Sequence, residues 1–263
     1  MLKLNNIYNM DCIEGMKLLP DNSIDLIFTS PPYADLRGYS KIKPDDYVDW
    51  FLPKAKEMFR ILKPKGSFIL NINDKTDNGE RHLFLYDLII ALKRKIGFLF
   101  IEEYHLKNTN ALGGEVSQKV KRFKRDFEFI YWFAKTKDFI WNPDDVMIER
   151  KHDINNFHKS SKGIYERPNE YKKKELKYPR GTIEFSMSKG KLGLIDNHAA
   201  TFPLDFAEFW IKCGSNKGNI ILDPFMGLGT TACACKILNR NYIGFEIHNE
   251  YINYSNDRIK NII

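Results

Sequence analysis

The chain has 263 residues and carries 41 Lys/Arg against 34 Asp/Glu, a net charge of +7. That length suits one large α/β domain with an insertion, or two small domains. No run of about 18 apolar residues exists and Met1-Leu2-Lys3-Leu4-Asn5-Asn6 lacks a signal core, so neither a membrane span nor a secretory leader is expected, and the cytoplasm is the expected location.

Leu2 to Phe28 reads as strand, helix (Cys12 to Leu19), strand. Pro44 to Leu62 reads as a helix, with Asp45 or Asp46 near its start and Lys63-Pro64-Lys65-Gly66 ending it. Ser67 to Asn73 is an apolar, buried strand, and Arg81 to Lys95 an amphipathic helix closed by Gly97. Phe98 to Lys107 and the aromatic run Phe127 to Phe133 are strands; between them the polar stretch Thr109 to Arg125, with Gly113-Gly114, reads as a mobile loop. Residues 142–196 have weak periodicity and many charges, which marks an inserted recognition region. Twelve Lys/Arg and five Asp/Glu fall in 150–191, so this stretch carries a balance equal to that of the whole chain. It reads either as a solvated basic loop or as a source of phosphate contacts. Phe206 to Ile211 is an apolar helix. Strands alternating with helices predict a doubly wound, mainly parallel α/β sheet, with ligands at the carboxyl ends of its strands.

Two turns carry the chemistry. Ile24 to Thr29 runs into Ser30-Pro31-Pro32-Tyr33. Two prolines without N–H groups cannot continue a sheet, so they fix a rigid turn that presents a hydroxyl, bare carbonyls and an aromatic ring. A side-chain oxygen and a carbonyl side by side accept both protons of an exocyclic amine, while the ring stacks on the base. Read alone, the tetrapeptide is equally an ordinary polyproline turn. The second turn follows the strand Asn219 to Asp223: Pro224-Phe225-Met226-Gly227-Leu228-Gly229, then a helix from Thr230 to Leu238. Glycines between a strand and a helix start let backbone approach a nucleotide or nucleoside. Tyr242 to Glu246 is a short strand ending on an acid, 17 residues after Gly229, near the spacing at which an acid takes ribose hydroxyls.

These residues resemble the beta class of amino-methylating DNA methyltransferases, which use S-adenosyl-L-methionine. Ser30-Pro31-Pro32-Tyr33 matches their catalytic motif, Asp223 to Thr231 their cofactor motif, and the order of the two is that of the class. The resemblance runs from Asn9 to about Tyr254. It implies a Rossmann-like fold in which 1–141 holds the catalytic part, 142–196 the inserted target-recognition region and 197–263 the cofactor-binding part.

Position by position, the resemblance implies the following roles. Ser30 and the Pro31 carbonyl, followed by Pro32, accept from the target amine, and Tyr33 stacks on an extruded base. Serine is a weak base, so catalysis rests on positioning. The family more often has Ser at the first position for cytosine and Asp for adenine; Ser30 favours cytosine N4, and adenine N6 stays open. Gly227 and Gly229 wrap the cofactor with Asp223 and Thr230 beside them, Phe225 covers it, Glu246 binds its ribose and Asp11 its adenine amine. Asp11 is otherwise a helix cap. His198, in the segment to Pro203, either lines the cofactor pocket or is an ordinary histidine. Asp35 and Arg37 follow the catalytic turn and are placed over the target. Arg122, Lys124, Arg125 and Asp126 form either a DNA-facing rim or a solvated strand end. Trp132 and Trp141 read as core or rim aromatics. Cys12, Cys213, Cys233 and Cys235 fit no zinc spacing and read as reduced thiols; no metal is expected. Double-stranded DNA is the expected partner, with a restriction endonuclease and a homodimer as further partners. Rival readings are an RNA or protein-glutamine methyltransferase, and a DNA-binding protein without catalysis.

Overall fold

The computed structural model describes residues 2–34, 41–77, 79–108, 116–117, 122–123, 125–149, 157–160, 163–166, 176–185 and 202–262. One sheet organises the chain. Its strands in chain order are β1 (Asn6–Asn9), β2 (Ile24–Thr29), β3 (Leu62–Ile72), β4 (Leu99–Asn108), β5 (Phe127–Ala134), β6 (Thr182–Phe185), β7 (Ile220–Asp223) and β8 (Asn241–Glu246). Across the sheet the order is β1-β8-β7-β2-β3-β5-β4-β6. Only β5 runs against its neighbours β3 and β4; every other pairing is parallel.

Sheets of this kind are covered on both faces, and the sequence of β5 shows why. Phe129, Tyr131 and Phe133 pack on one face with Phe51, Phe68 and Phe98, under helices α1 (Cys12–Lys17), α2 (Tyr47–Ile61) and α3 (Phe84–Ala91). The alternate residues Ile130 and Trp132 pack on the other with Phe28, Phe206 and Trp210, under α4 (Leu204–Gly214) and α5 (Thr230–Ile237). A further helix, α6 (Asn249–Lys260), lies against α5. Trp132 is thus core, its indole N–H donating to Ser67 Oγ (2.9 Å), whereas Trp141 stays about half exposed.

Several expectations are corrected. Helix α2 ends at Ile61, just before Lys63-Pro64-Lys65-Gly66, but that run already belongs to β3, which was expected to begin at Ser67. The register between β2 and β3 shifts after the Ile24–Leu62 pair, so Pro64 sits where the ladder is interrupted and its missing N–H costs no pairing. The helix expected from Pro44 starts at Tyr47. That expected from Arg81 starts at Phe84, because Glu80–Arg81 pair with Thr76–Asp77 and Arg81 is held on Asp74 (2.5 Å). It ends in a π-helical turn, Leu92–Ile96, before Gly97 at φ 102°. Within the stretch expected to be a mobile loop, Val116–Ser117 pair with Arg122–Phe123; the rest of 109–124 lies outside the described residues. Of the expected insertion, two described parts touch the main body: Thr182–Phe185 extend the sheet, with Phe185 packed on Phe206 and Phe209, and Asn142 Nδ2 donates to the carbonyls of Lys212 and Ser215.

What positions the site is the sheet order. From β2 the chain moves outward to β3; from β7 it moves the other way to β8. β2 and β7 are neighbours, so the order reverses between them, which is where open α/β sheets leave a crevice at their strand ends.

Candidate active site

Both turns leave the sheet side by side at that reversal. Thr29, the last residue of β2, donates its hydroxyl to Asp223 Oδ1 (2.6 Å), at the end of β7. Thr231 donates to Asp223 Oδ2 (2.6 Å) and the Phe225 N–H to Oδ1 (3.0 Å). Asp223 is buried, and that burial raises its carboxyl to about 6 against the opposing pull of the two threonines and the Phe225 N–H. It was expected among the cofactor contacts. Its oxygens face inward, and its part is to join the Ser-Pro-Pro-Tyr turn to the glycine turn.

The glycine turn is held from behind. Glu246 accepts the Gly227 N–H on one oxygen (2.9 Å) and the N–H groups of Ile247 and His248 on the other (both 2.9 Å). Ser255 of α6 donates to the Gly227 carbonyl (2.9 Å), and Arg258 donates to the Leu228 carbonyl and to Thr230 Oγ1 (3.3 Å). The two glycines differ. At Gly227 (φ 51°) a side chain would meet nothing nearer than the Phe225 carbonyl at 3.9 Å, so open space lies beside it. At Gly229 (φ 76°), the N-cap of α5, a Cβ would stand 2.7 Å from the Cβ of Ser255. Gly229 is therefore a packing glycine, where a side chain would press on Ser255. Thr230 is likewise buried and bonded to Arg258.

The Phe225 ring lies 5.7 Å from Trp50, and Asp11 follows two residues after Asn9, the end of β1, which pairs with Glu246 at the end of β8. Asp11 caps α1, accepting the Ile13 N–H at 2.8 Å. Lys54 lies over the Trp50 ring (4.0 Å) and its amine is lowered by burial. The Cys12 thiol is pushed up to about 12 by burial and by Asp11. Trp50 and Lys54 were missed from the sequence, because both read as an ordinary amphipathic helix face.

The catalytic turn is held differently. The Pro32 carbonyl accepts the Tyr47 hydroxyl (2.8 Å). The Tyr33 hydroxyl donates to Glu128 Oε2 on β5 (3.0 Å), with Asn71 Oδ1 a longer alternative (3.4 Å), and Ser30 donates to the Tyr33 oxygen (3.2 Å). An ionised carboxylate has no proton to give, so the direction of this chain is fixed: Ser30 to Tyr33 to Glu128. The Ser30 proton is thereby committed to Tyr33, and its lone pairs are left for an incoming donor. Glu128 and Asn71 were also missed; the signal was a lone acid inside Phe127-Glu128-Phe129.

The expected DNA-facing Arg125 is instead paired on Asp74 (2.7 Å) and packed over the Phe127 and Phe129 rings. All four cysteines are buried and unpaired, and no cluster of metal ligands occurs among the described residues. No described helix is long and apolar enough to cross a membrane. His198, Asp35, Arg37 and Lys124 lie outside the described residues. Of the segment 198–203, Phe202 packs edge-on against Phe28 (5.2 Å) and Pro203 caps α4.

Comparison with known proteins gives a consistent picture. The DNA methylase family of N6 and N4 enzymes matches residues 24–257. The orphan methyltransferase M.BamHII of Bacillus amyloliquefaciens is 32% identical over 92% of this chain and 91% of its own. The Type II methyltransferase M.PvuII of Proteus hauseri is 28% identical over 94% of this chain and 81% of its own. A solved structure of the cytosine-N4-specific PvuII enzyme superposes with a TM-score of 0.75 at 25% identity, covering 96% of this chain and 85% of that one. The DNA adenine methyltransferase YhdJ of Escherichia coli is 26% identical over 94% of this chain and 79% of its own.

Proposed function

Because the chain belongs to the N6 and N4 DNA methylase family, we propose that it methylates N4 of cytosine in double-stranded DNA. It is a DNA methyltransferase, and its methyl donor is S-adenosyl-L-methionine. The single observation that carries the cytosine reading is Ser30: a neutral hydroxyl whose proton is committed to Tyr33, leaving lone pairs for an amine. Likeness to the cytosine-N4-specific PvuII enzyme supports it. The likeness to YhdJ favours adenine N6 as the second reading.

The residues at the glycine turn suit the cofactor. The open space at Gly227, the Phe225 and Trp50 rings and the carboxylates of Asp11 and Glu246 would hold it. When bound, it would supply a sulfonium methyl group to the amine nitrogen, the bonding pair staying with sulfur. The protein's own part is positioning. Ser30 and the Pro31 carbonyl accept from the amine and expose its lone pair; Tyr33 stacks on a base turned out of the duplex. The basic stretch 150–191 supports phosphate contact, and the Type II likeness supports a restriction endonuclease partner, although M.BamHII is an orphan enzyme.

The test is the product. Unmethylated genomic DNA, incubated with the protein and the methyl donor and digested to nucleosides, should give N4-methylcytosine by mass spectrometry. N6-methyladenine alone would move the assignment to adenine. C5-methylcytosine alone would overturn the amine mechanism.

A further inference from the structure

We propose that Glu128 is the terminal proton acceptor of the reaction, reached from the target amine through the hydroxyls of Ser30 and Tyr33. The inference rests on the amino-methylation reading above. An amine nitrogen that gains a methyl group also gains a positive charge, and it must shed one proton to give a neutral product. Serine cannot hold that proton at neutral pH. Tyrosine cannot either, since its hydroxyl is itself a weak acid. What the fold adds is a carboxylate at the far end of their hydrogen bonds: Ser30 Oγ to Tyr33 Oη at 3.2 Å, and Tyr33 Oη to Glu128 Oε2 at 3.0 Å.

The transfer balances in three linked moves. The amine proton passes to Ser30 Oγ, the Ser30 proton to Tyr33 Oη, and the Tyr33 proton to Glu128 Oε2. Both hydroxyls end neutral, and Glu128 ends as a carboxylic acid. It is half-buried, so water can reach it and carry the proton away. While the proton is still on nitrogen, the same carboxylate offsets the developing positive charge, which a neutral side chain would not do.

The competing partner is Asn71. It lies farther from Tyr33 Oη, and its amide group is turned so that Nδ2 donates to the Phe129 carbonyl (3.2 Å) and towards Glu128 (3.4 Å). Asn71 thus orients the carboxylate and has no capacity to take a proton. β5 is the antiparallel strand, and it enters the sheet where β3 leaves it, with Phe129 opposite Ile72. That reversal is what brings an acid from residue 128 to the strand end that carries residues 30–33.

The experiment is single-turnover methylation of unmethylated genomic DNA under excess enzyme, for wild type, E128Q, Y33F and the double variant. Glutamine keeps the shape and an acceptor for Tyr33 but cannot take the proton; phenylalanine keeps the ring and cuts the path. Each single variant should be slower by about tenfold or more, the double variant no slower than either, and cofactor affinity by calorimetry unchanged. Added formate should speed E128Q and leave wild type as it is, because a small base replaces the lost acceptor; a purely structural Glu128 would not respond. E128D, which keeps the carboxylate, should retain more activity than E128Q, and it carries the test if E128Q does not fold. E128Q at the wild-type rate, or slow but insensitive to formate, would overturn the relay. If wild type itself yields no amino-methylated nucleoside, the parent reading fails instead, and the two failures are separable.

Discussion

The two turns at the head of the sheet are built on opposite plans. The glycine turn after β7 is held by Asp223, Glu246, Ser255 and Arg258, through part-buried hydrogen bonds to its backbone. The Ser-Pro-Pro-Tyr turn after β2 has less backing: two prolines set its shape and Tyr47 holds the Pro32 carbonyl, while the Tyr33 side chain reaches to Asn71 and Glu128 on other elements. The first plan makes a fixed cradle, in which most motif residues serve the backbone. The second leaves a half-buried hydroxyl and ring, oriented but able to meet a substrate. A change in the first turn should therefore register in stability, and a change in the second in rate.

The strongest way to break that contrast is Gly229→Val. The φ of 76° disfavours a β-branched residue, and its Cβ would press on the Cβ of Ser255 at 2.7 Å. The expected loss is about 2–5 kcal/mol of stability, read by chemical denaturation. Gly227→Ala enters open space, so its cost should be only the strain of its left-handed φ of 51°, about 1–2 kcal/mol, and it should act mainly on cofactor affinity. Equal stability of the two variants would mean that the glycine turn is not packed as described.

Next comes the join between the turns. Burial lifts the Asp223 carboxyl from 3.8 to about 6. Below pH 3.8 folded and unfolded chains both hold the proton. As pH rises to about 6 the unfolded chain ionises first, so the folded state loses stability; above that the cost is constant. The amount is on the order of 3 kcal/mol. Asp223→Asn keeps an oxygen for Thr29 and Phe225 and offers its NH2 to Thr231, and it has no charge to lose. Melting curves of both proteins across this range should diverge as pH rises, wild type falling relative to the variant. A constant difference would show that Asp223 is not buried in this way.

Tyr33→Ala probes the half-buried Ser-Pro-Pro-Tyr turn. Loss of the stacking ring should weaken capture of the flipped base by about 1–3 kcal/mol, seen as a slower single-turnover rate, with the melting temperature close to wild type. A large fall in melting temperature with an unaltered rate would reverse the comparison.

The two plans also explain what could be read from the sequence. Proline pairs and glycine spacing act within a few residues, so both turns, and the strands feeding them, were legible. Contacts across long separations were not. Thr29 meets Asp223 over 194 residues and Tyr33 meets Glu128 over 95. Nothing local in Arg125 shows that Asp74 waits for it, so a paired arginine looked like a free one. Thr182–Phe185 is short and lies in a charged stretch, and only pairing with β4 makes it a strand. Asp223 and Thr230 matched the motif, yet the match carries no information on which way a side chain faces. In α6 a mean hydropathy dominated by polar residues hid the face that holds Ser255 and Arg258 against the glycine turn.

The smallest effect tests the residue that belongs to both plans. Asp11 follows β1, whose last residue Asn9 pairs with Glu246, and caps α1 through the Ile13 N–H. As a cap alone, Asp and Asn are equivalent and Ala costs about 1 kcal/mol. As a cofactor contact it must offer a second acceptor. An asparagine in its place would have one oxygen, already committed to Ile13, and its other atom would be an NH2 facing the adenine amine donor to donor. Asp11→Asn should then melt as wild type does but bind S-adenosylmethionine about tenfold more weakly, the equivalent of one hydrogen bond to a charged group. Asp11→Ala should lose both. The pair of variants separates the roles because they share the second defect and differ in the first. Wild-type affinity in Asp11→Asn would return Asp11 to a plain helix cap and leave Glu246 as the one acid of the cofactor side.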